Sequence, residues 1–260
     1  MTNQEDSVDL KKIEIRPYQL ADRQSVREIC CRTAFRNLGS DIFFEDRNVH
    51  ADYWTRYYTD FRPEECSVIT LDNRIVGYFF GCSDHSHFIR TMAFRIIPFC
   101  LIRVLCRLTV NRYGPRTRAY IRYILLKGLN EAPPIDYSRF PAHYHCNLLP
   151  EAYGLQLYSR LTLDFLDLLQ AKGVHSLHGH ITEPAVSGTW TRFEKRFISK
   201  VRAESEQGGG NDPTYFTAEV STSLYSTILE DSRPMVNRVW GVQVSDYREW
   251  IRFVRDTYKL

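Results

Sequence analysis

The segment that decides the fold is residues 142–161, which read AHYHCNLLPEAYGLQLYSRL. Its first part alternates with the period of a strand and places His143 and His145 on one face. A Pro-Glu-Ala-Tyr-Gly turn follows, and Leu157 and Leu161 then recur at helical spacing. The start of a helix attracts anions, because its N–H groups are unpaired and the helix dipole is positive there. The layout suits a phosphate held at the start of the helix, but the turn has a single glycine, so the site is intact, altered or lost.

Strand and helix patterns alternate along the rest of the chain. The N-terminal part gives a strand, a helix capped by Asp22 and a hairpin that turns at Asp72-Asn73. The predicted strands cover 12–16, 67–71, 75–80, 142–149, 174–181, 217–224 and 236–244, and helices are predicted after Asp22, around 52–58, up to Lys172, over 183–195 and from Asp246. This order predicts an α/β fold with a mixed sheet.

Composition places the chain among ordinary globular proteins. It has 260 residues, of which 43% are hydrophobic and 25% charged, enough for one elaborated domain or two small ones, and of these we predict one domain over 1–260. The seven cysteines are odd in number and form no CxxC pair, which predicts buried free thiols in a cytoplasmic protein. The longest apolar run, Ile96–Ile102, is far shorter than the roughly 20 residues that a membrane span needs. We expect no transmembrane segment.

The positive charge of the chain is concentrated in one stretch. Residues 85–130 contain eight Arg, one Lys and no acid, whereas the net charge of the chain is only +3. We predict a helical, Arg-rich insertion over about 85–135, which is either a solvated helical face or a surface that meets phosphates. The phosphates would belong to a coenzyme or to peripheral anionic lipids. Nucleic acid is disfavoured, because the overall charge is near neutral and no recognition motif is present.

The order of elements resembles that of the GNAT superfamily of acyl-CoA N-acyltransferases. The resemblance rests on Ile13-Glu-Ile-Arg-Pro17, the hairpin that ends at Ile75-Val-Gly-Tyr78, residues 142–151, the helix Leu161–Gln170 and residues 173–178. It implies a mostly antiparallel central sheet with a splayed parallel strand pair, flanked by helices. The Arg-rich insertion and a C-terminal extension of about 201–260 lie beyond a minimal GNAT domain.

The resemblance implies that acetyl-CoA or another acyl-CoA binds at the strand–turn–helix segment. The implied contacts are Leu148, Leu149, Tyr153, Gly154, Leu155, Gln156, Leu157 and Tyr158. In the family pattern Tyr153 stands where Arg or Gln is usual, and Gln156 and Tyr158 replace small residues. Side chains of that size would crowd a diphosphate, so the motif is degenerate. Leu155 and Leu157 fit a buried core equally well.

Three side chains are candidates for acid–base catalysis. His143 and His145 lie on one strand face and titrate near neutral pH, and Glu151 follows in the turn. The alternative is that the histidines only bond their neighbours and Glu151 caps a helix. The family's Asn and Tyr have no counterpart: those positions fall on Ala185 and Arg192, or on Val186 and Phe193.

Two further groups of residues bear on the substrate. Glu45, Asp46, Trp54, Tyr57 and Tyr58 form either an acidic and aromatic wall for a cationic amine or a packed face. The histidines of His175-Ser-Leu-His-Gly-His180 lack an accompanying carboxylate or cysteine pattern, so we predict no metal site.

Three functions remain open at this point. The first is an acyl-CoA-dependent N-acyltransferase acting on an unknown small-molecule amine. The second is a GNAT fold that performs another reaction, without acetyl-CoA, on a small molecule or a carrier-bound acyl group. The third is a non-catalytic binding module with no cofactor. The oligomeric state is not encoded in any pattern that we find.

Overall fold

The computed structural model of the protein describes residues 13–110, 112–128, 130–153, 155–188 and 215–258. Their contacts divide the chain into two compact units. Unit 1 comprises Met1–Arg112, Tyr144–Phe165 and Lys259–Leu260, and unit 2 comprises Tyr113–His143 and Leu166–Tyr258. That these units form a single domain over 1–260 stays a prediction.

Unit 1 is built on a sheet with the strand order β1-β2-β3-β4. These strands are β1 (Ile13–Pro17), β2 (Cys66–Leu71), β3 (Arg74–Cys82) and β4 (His143–Leu148), the last of which begins one residue before the unit boundary. The pairs β1–β2 and β2–β3 are antiparallel. The predicted hairpin is confirmed, and both its turn residues, Asp72 and Asn73, have positive φ, as the tight hairpin turn requires.

Strand β4 lies unusually close to β3. A Cβ atom on Gly77 would come within 2.4 Å of Leu148 Cδ2 and 3.0 Å of the Asn147 carbonyl oxygen. The Leu149 N–H donates to the Val76 carbonyl at 2.8 Å and continues the contact beyond the strand. Glycine at position 77 therefore sets how closely the strand that carries His145 can approach.

Helices cover the sheet of unit 1. They are α1 (Arg23–Asn37), α2 (Arg47–Phe61), α3 (His85–Thr91), a π-helical turn (Met92–Ile96), α4 (Ile97–Thr109) and the start of α6 (Leu155–Ala171). Short 3-10 turns precede α1 and α2 and lie at Pro63–Glu65 and Pro150–Ala152. The core contains Val26, Phe43, Val68, Ile69, Tyr78 and Phe80, all fully or almost fully buried.

Unit 2 has its own antiparallel sheet, with the strand order β5-β7-β6. The strands are β5 (Ser176–Pro184), β6 (Tyr215–Thr222) and β7 (Met235–Gln243). The helices are α5 (Pro115–Tyr123), a π-helical turn (Ile124–Gly128), the end of α6, α7 (Leu224–Leu229) and α8 (Val244–Tyr258). Trp240, Tyr247 and Trp250 pack in sequence, with ring centroids 5.1 Å and 5.3 Å apart.

A parallel contact joins β5 to the residue that precedes β4. Ala142 forms a parallel bridge with Leu177, and the His178 N–H donates to the Ala142 carbonyl at 2.8 Å. The predicted mixed, mostly antiparallel α/β architecture with helices around it is confirmed. Its strands form two sheets rather than the one we expected, and the parallel pairing within unit 2 is limited to this bridge among the described residues.

The structure contradicts one predicted helix and confirms another. The helix predicted over 183–195 is wrong where the structure describes it, because β5 keeps pairing with β7 as far as Pro184 opposite Met235. A turn follows over 185–187, and the remaining positions, which include Arg192 and Phe193, lie outside the described residues. The helical nature of the Arg-rich insertion is confirmed. No helix in the described part of the chain is both long and apolar enough to cross a bilayer.

Candidate active site

The central feature of unit 1 is His145, half-buried on β4 among aromatic rings. Its ring centroid lies 5.4 Å from Tyr78 of β3, 5.7 Å from Trp54 and 6.2 Å from Tyr58, both of α2. Tyr58 and Tyr78 are buried, whereas Trp54 is 46% exposed. The histidine therefore lies among aromatic rings, of which Trp54 is partly exposed to solvent. We call this set of residues the His145 recess.

A polar chain fixes the histidine from the sheet side. The Asn147 side-chain nitrogen lies 2.6 Å from the Tyr78 hydroxyl and 3.3 Å from His145 Nε2. An amide nitrogen donates and does not accept, so in this orientation Nε2 is an acceptor and Nδ1 carries the proton. Asn147 and His145 are two residues apart and share a strand face, as the period of two predicts.

Burial keeps the histidines of the recess uncharged. Loss of contact with water lowers the pKa of His145 to about 4, and the same cause, together with the proximity of His145, lowers the pKa of His50 to about 4. His50 is buried one helical turn before Trp54, and the two ring centroids are 6.4 Å apart. Both imidazoles are thus neutral near pH 7, and either ring can accept a proton.

The acids that flank the recess are already paired. Asp46 caps α2 through the Val49 N–H at 3.1 Å and pairs with Arg107 at 2.8 Å. Asp52 pairs with Arg27 and, at 3.1 Å, with Arg103. The predicted acidic wall for a cationic amine therefore lacks the charge of Asp46, because its carboxylate is buried and neutralised by an arginine.

The three aromatic residues of that predicted wall also differ in burial and in contacts. Tyr57 is buried, and its hydroxyl lies 3.2 Å from His87 Nδ1, so Tyr57 belongs to the core. Tyr58 forms part of the buried wall of the His145 recess. Trp54 alone of the three aromatic candidates is largely exposed.

A strained segment lies at the end of α1. Phe35, Arg36 and Asn37 have φ values of 51°, 62° and 67°, which side chains other than glycine rarely adopt. The Phe35 ring packs against Phe43 at 4.5 Å and His50 at 5.8 Å, which helps to hold this backbone in place. The Asn37 side chain donates to the Tyr153 hydroxyl at 2.7 Å. Strained backbone often marks functional sites, and here it joins the recess to the turn before α6.

His143 belongs to unit 2, where it is buried beside His178. The two ring centroids are 5.0 Å apart, and His178 Nδ1 lies 2.7 Å from the Phe140 carbonyl oxygen. His180 follows in an exposed position, with its ring 5.5 Å from His178. The predicted pair on one strand face thus falls into two separate clusters, one in each unit.

Comparison with solved structures agrees with this architecture. A crystal structure of SsHAT covers 90% of this chain and 98% of its own, with 22% identity and a TM-score of 0.55. The chain has a GNAT-like fold. Lower TM-scores, 0.45 and 0.42, come from the polyamine N acetyltransferase of Drosophila melanogaster and from yncA of Salmonella typhimurium, a putative acetyltransferase with acetyl-CoA. They have 11% and 12% identity and cover 89% and 90% of this chain, and 99% and 94% of their own. No protein-family model and no curated protein matches the sequence.

In this GNAT-like fold the turn before α6 can be tested for its fit to an acyl-CoA diphosphate. The N–H groups of Ala152 and Tyr153 are used within the turn, where they donate to Leu149 and Pro150. The first N–H groups of an α-helix have no partner within the helix, so a helix start such as that of α6 attracts anions. Positive charge is near, because Arg74 pairs with Glu151 at 2.9 Å and Arg32 contributes to lowering the Glu151 pKa. The described part of the turn thus places Arg74 and Arg32 beside the start of a helix, which are groups that attract a diphosphate.

The side chains that we expected to crowd the diphosphate are only partly described. Tyr158 turns its hydroxyl onto the Tyr144 hydroxyl of β4, so its ring packs against the sheet. Leu157 is buried, as the alternative interpretation of a core residue predicts. Gly154 and the side chains of Leu155 and Gln156 lie outside the described residues. Of the two expected obstacles, Tyr158 is thereby removed.

Sequence reasoning found some of the residues that meet in unit 1 and missed others. It singled out His145 and Trp54, and Tyr58 as part of the wall. It missed His50, which lies one turn before Trp54 on α2, and Tyr78, whose hydroxyl meets Asn147. The helical spacing of His50 and Trp54 was a readable signal. Nothing in the sequence of β3 distinguished Tyr78 from its aromatic neighbours.

Proposed function

We propose that this protein is an acyl-CoA-dependent N-acyltransferase that acts on a small-molecule amine. The observation that carries the proposal is the His145 recess, in which a neutral imidazole lies on β4 beside an exposed indole. Transfer of an acyl group to nitrogen needs a group that accepts a proton from the amine. His145 is uncharged near neutral pH and is accordingly able to do so.

We propose that the acyl-CoA is held by the turn before α6. The contacts would come from Leu148, Leu149 and Tyr153–Tyr158, and Leu157, whose side chain is buried, would contribute its backbone N–H. The helix dipole and Arg74 would attract the diphosphate. When bound, the acyl-CoA supplies an activated carbonyl for attack by the amine.

The low pKa of His145 limits what it can do. A base with a pKa of about 4 accepts a proton only from a nitrogen that becomes positively charged during its attack. The bond from Asn147 to Nε2 is long, at 3.3 Å, so an arriving N–H can replace it. Asn147 and Tyr78 keep the ring oriented, and Tyr78 is too deeply buried to touch the substrate.

We further propose that the acceptor is an amine with an aromatic or apolar body rather than a polycation. The recess offers the face of Trp54 and the neutral rings of His50 and His145. The nearby carboxylates of Asp46 and Asp52 are already paired with arginines. A polyamine would find the charges of Asp46 and Asp52 already taken by arginines, whereas a ring can stack on Trp54.

His143 and Glu151 keep weaker roles in the proposal. Glu151 has its pKa lowered by a hydrogen bond with its own backbone and by Arg74, so it remains ionised and anchors the turn. His143 is buried beside His178 and stays a candidate acid or base of unit 2. The single domain over 1–260 also stays part of the proposal.

The test combines ligand binding with turnover. Purified protein is titrated with coenzyme A by calorimetry and then incubated with acetyl-CoA and three amines: agmatine, a polyamine and an aromatic amine. Acetylated products are detected by mass spectrometry. We expect coenzyme A binding and acetylation of the aromatic amine in preference to the two polycations. Binding without transfer to any amine would indicate a binding module and contradict the enzymatic proposal.

The catalytic role of His145 has its own prediction. His145→Ala should lower kcat/KM by about 10²- to 10⁴-fold, the usual contribution of an acid–base group, and leave coenzyme A affinity unchanged. His175→Ala is the matched control, because His175 is exposed and lies in unit 2. If H145A and H175A retain equal activity, His145 does not transfer the proton.

A further inference from the structure

Helix α4 and the π-helical turn before it contact the protein through an inner side that carries both apolar residues and arginines. Ile96, Cys100, Arg103 and Arg107 follow one another at helical spacing on the inner side. Arg103 and Arg107 reach Asp52 and Asp46 of α2, at 3.1 Å and 2.8 Å. The inner side of this helix therefore combines the buried Ile96 and Cys100 with two partly exposed arginines that pair with α2.

The outer side of the same segment is apolar and exposed. Its side chains recur at helical spacing, and several of them are more exposed than buried, with Phe94 at 80% and Ile102 at 62%. The exposed members are Phe94, Leu101, Ile102, Leu105 and Val110, with Ile89 on α3 and Phe99 beside them. We call this set the outer face of α4. Apolar faces of this extent on a soluble protein mark an interaction site.

Cations surround the outer face and no acid lies within the segment. Arg90, Arg95 and Arg112 are exposed, and the described residues place no carboxylate in an ion pair with any of them. Residues 85–130 as a whole contain no Asp or Glu. The partner of this face must therefore be apolar at its centre and negative around it.

We propose that the outer face of α4 binds peripherally to the surface of a membrane that contains anionic lipids. Phe94, Leu101, Ile102 and Leu105 would enter the boundary between headgroups and acyl chains, with the helix parallel to the surface. Arg90, Arg95 and Arg112 would contact the phosphates and carboxylates of the headgroups. The proposal is independent of the acyltransfer reaction.

A second copy of the chain fits this face less well than a membrane. A two-fold interface pairs a patch with itself, so Arg90, Arg95 and Arg112 of the two copies would come together. No acid of residues 85–130 is available to compensate them. Like charges at an interface are unfavourable, whereas an anionic bilayer supplies the opposite charge over its whole area.

The test is co-sedimentation of the full chain with vesicles of phosphatidylcholine, alone or with phosphatidylserine. We expect binding to the vesicles that contain phosphatidylserine and a marked loss of binding at high salt. The variant Phe94→Ser/Ile102→Ser/Leu105→Ser should weaken this binding by about tenfold or more, because three apolar side chains no longer enter the bilayer. Circular dichroism verifies that the variant is folded.

Two further variants test whether exposed apolar residues elsewhere also bind vesicles and whether the arginines contribute to binding. Leu20→Ser/Leu38→Ser removes exposed apolar side chains elsewhere in unit 1 and should leave vesicle binding unchanged. Arg90→Gln/Arg95→Gln/Arg112→Gln should weaken binding and reduce its dependence on salt. The proposal is overturned if the unmodified protein ignores anionic vesicles, or if the triple serine variant binds them as well as the unmodified protein. A change from dimer to monomer in that variant without vesicle binding would assign the face to self-association instead.

Discussion

At the scale of single residues, the seven cysteines of this chain differ in burial. Cys106 on α4 is exposed, Cys146 on β4 is half-buried, and the other five are buried. Burial raises the pKa of Cys30, Cys82 and Cys146 to about 12 and that of Cys100 to about 11. Because the thiolate is the reactive form, these groups are inert near neutral pH.

We therefore predict that a thiol reagent modifies one site on the native protein. Near neutral pH, iodoacetamide should label Cys106, and Cys106→Ser should remove that labelling. Peptide mapping by mass spectrometry identifies the site. In denaturant the unmodified protein should react at all seven cysteines. Native labelling at Cys146 that is as rapid as at Cys106 would contradict the raised pKa of Cys146.

At the scale of elements, the packing of α4 on α2 depends on buried carboxylates. Asp52 accepts from both Arg27 and Arg103, and its side chain is 8% exposed. Removing one partner from a buried ion pair leaves the other charges without compensation, which costs more than the pair itself contributes. The ion pair between Arg103 and Asp52 thus holds α4 against α2, with the exposed apolar side of α4 facing outward.

The prediction for this contact compares two aspartates of the same helix. Asp52→Asn should lower the free energy of unfolding by about 3 kcal/mol, because Arg27 and Arg103 lose their buried counter-charge. Asp60 also pairs with two arginines, Arg23 at 2.9 Å and Arg56 at 3.2 Å, but in a more exposed position. Asp60→Asn should therefore change the free energy of unfolding by less than about 1 kcal/mol. Urea denaturation of both variants measures the difference, and equal effects would refute the buried role of Asp52.

At the scale of the whole molecule, stability depends on histidines that folding keeps neutral. His50 and His145 lie in unit 1, and burial lowers the pKa of each from 6.5 to about 4. In the unfolded chain these groups take up protons as the pH falls below about 6.5, whereas in the folded protein they do so only near pH 4. Over that window the unfolded state binds more protons, so acid favours unfolding.

We predict that the free energy of unfolding is highest above about pH 6.5 and decreases steadily towards pH 4. His50 is almost completely buried, so its contribution over the whole window is on the order of 3 kcal/mol. Urea denaturation at several pH values should show this decrease, and His50→Gln should make it shallower. The Asp22 carboxylate, whose pKa is lowered by Arg16, acts at still lower pH and leaves the comparison unaffected. An unchanged slope in H50Q would show that His50 titrates normally in the folded protein.

The sequence by itself determined the order of the elements in this protein. The strand at His143–Leu148, the turn before α6, the hairpin at Asp72-Asn73 and the helical Arg-rich insertion were all readable. Each depends on local periodicity or on turn residues, which act over a few positions of the chain. The likeness to the GNAT fold followed from that order. His145 was found in the same way, because alternation along β4 placed it on a face with Asn147.

Only the tertiary structure decided which faces are buried and which groups meet. Periodicity shows that residues share one side of a helix, but long-range contacts determine whether that side meets the core or solvent. For this reason α4 could not be recognised as a helix with its arginines inward, nor Asp46 and Asp52 as paired carboxylates. The extension of β5 to Pro184 likewise depends on pairing with β7, a strand distant in sequence. His50 and Tyr78 entered the recess of His145 through the same long-range packing, which no local pattern encodes.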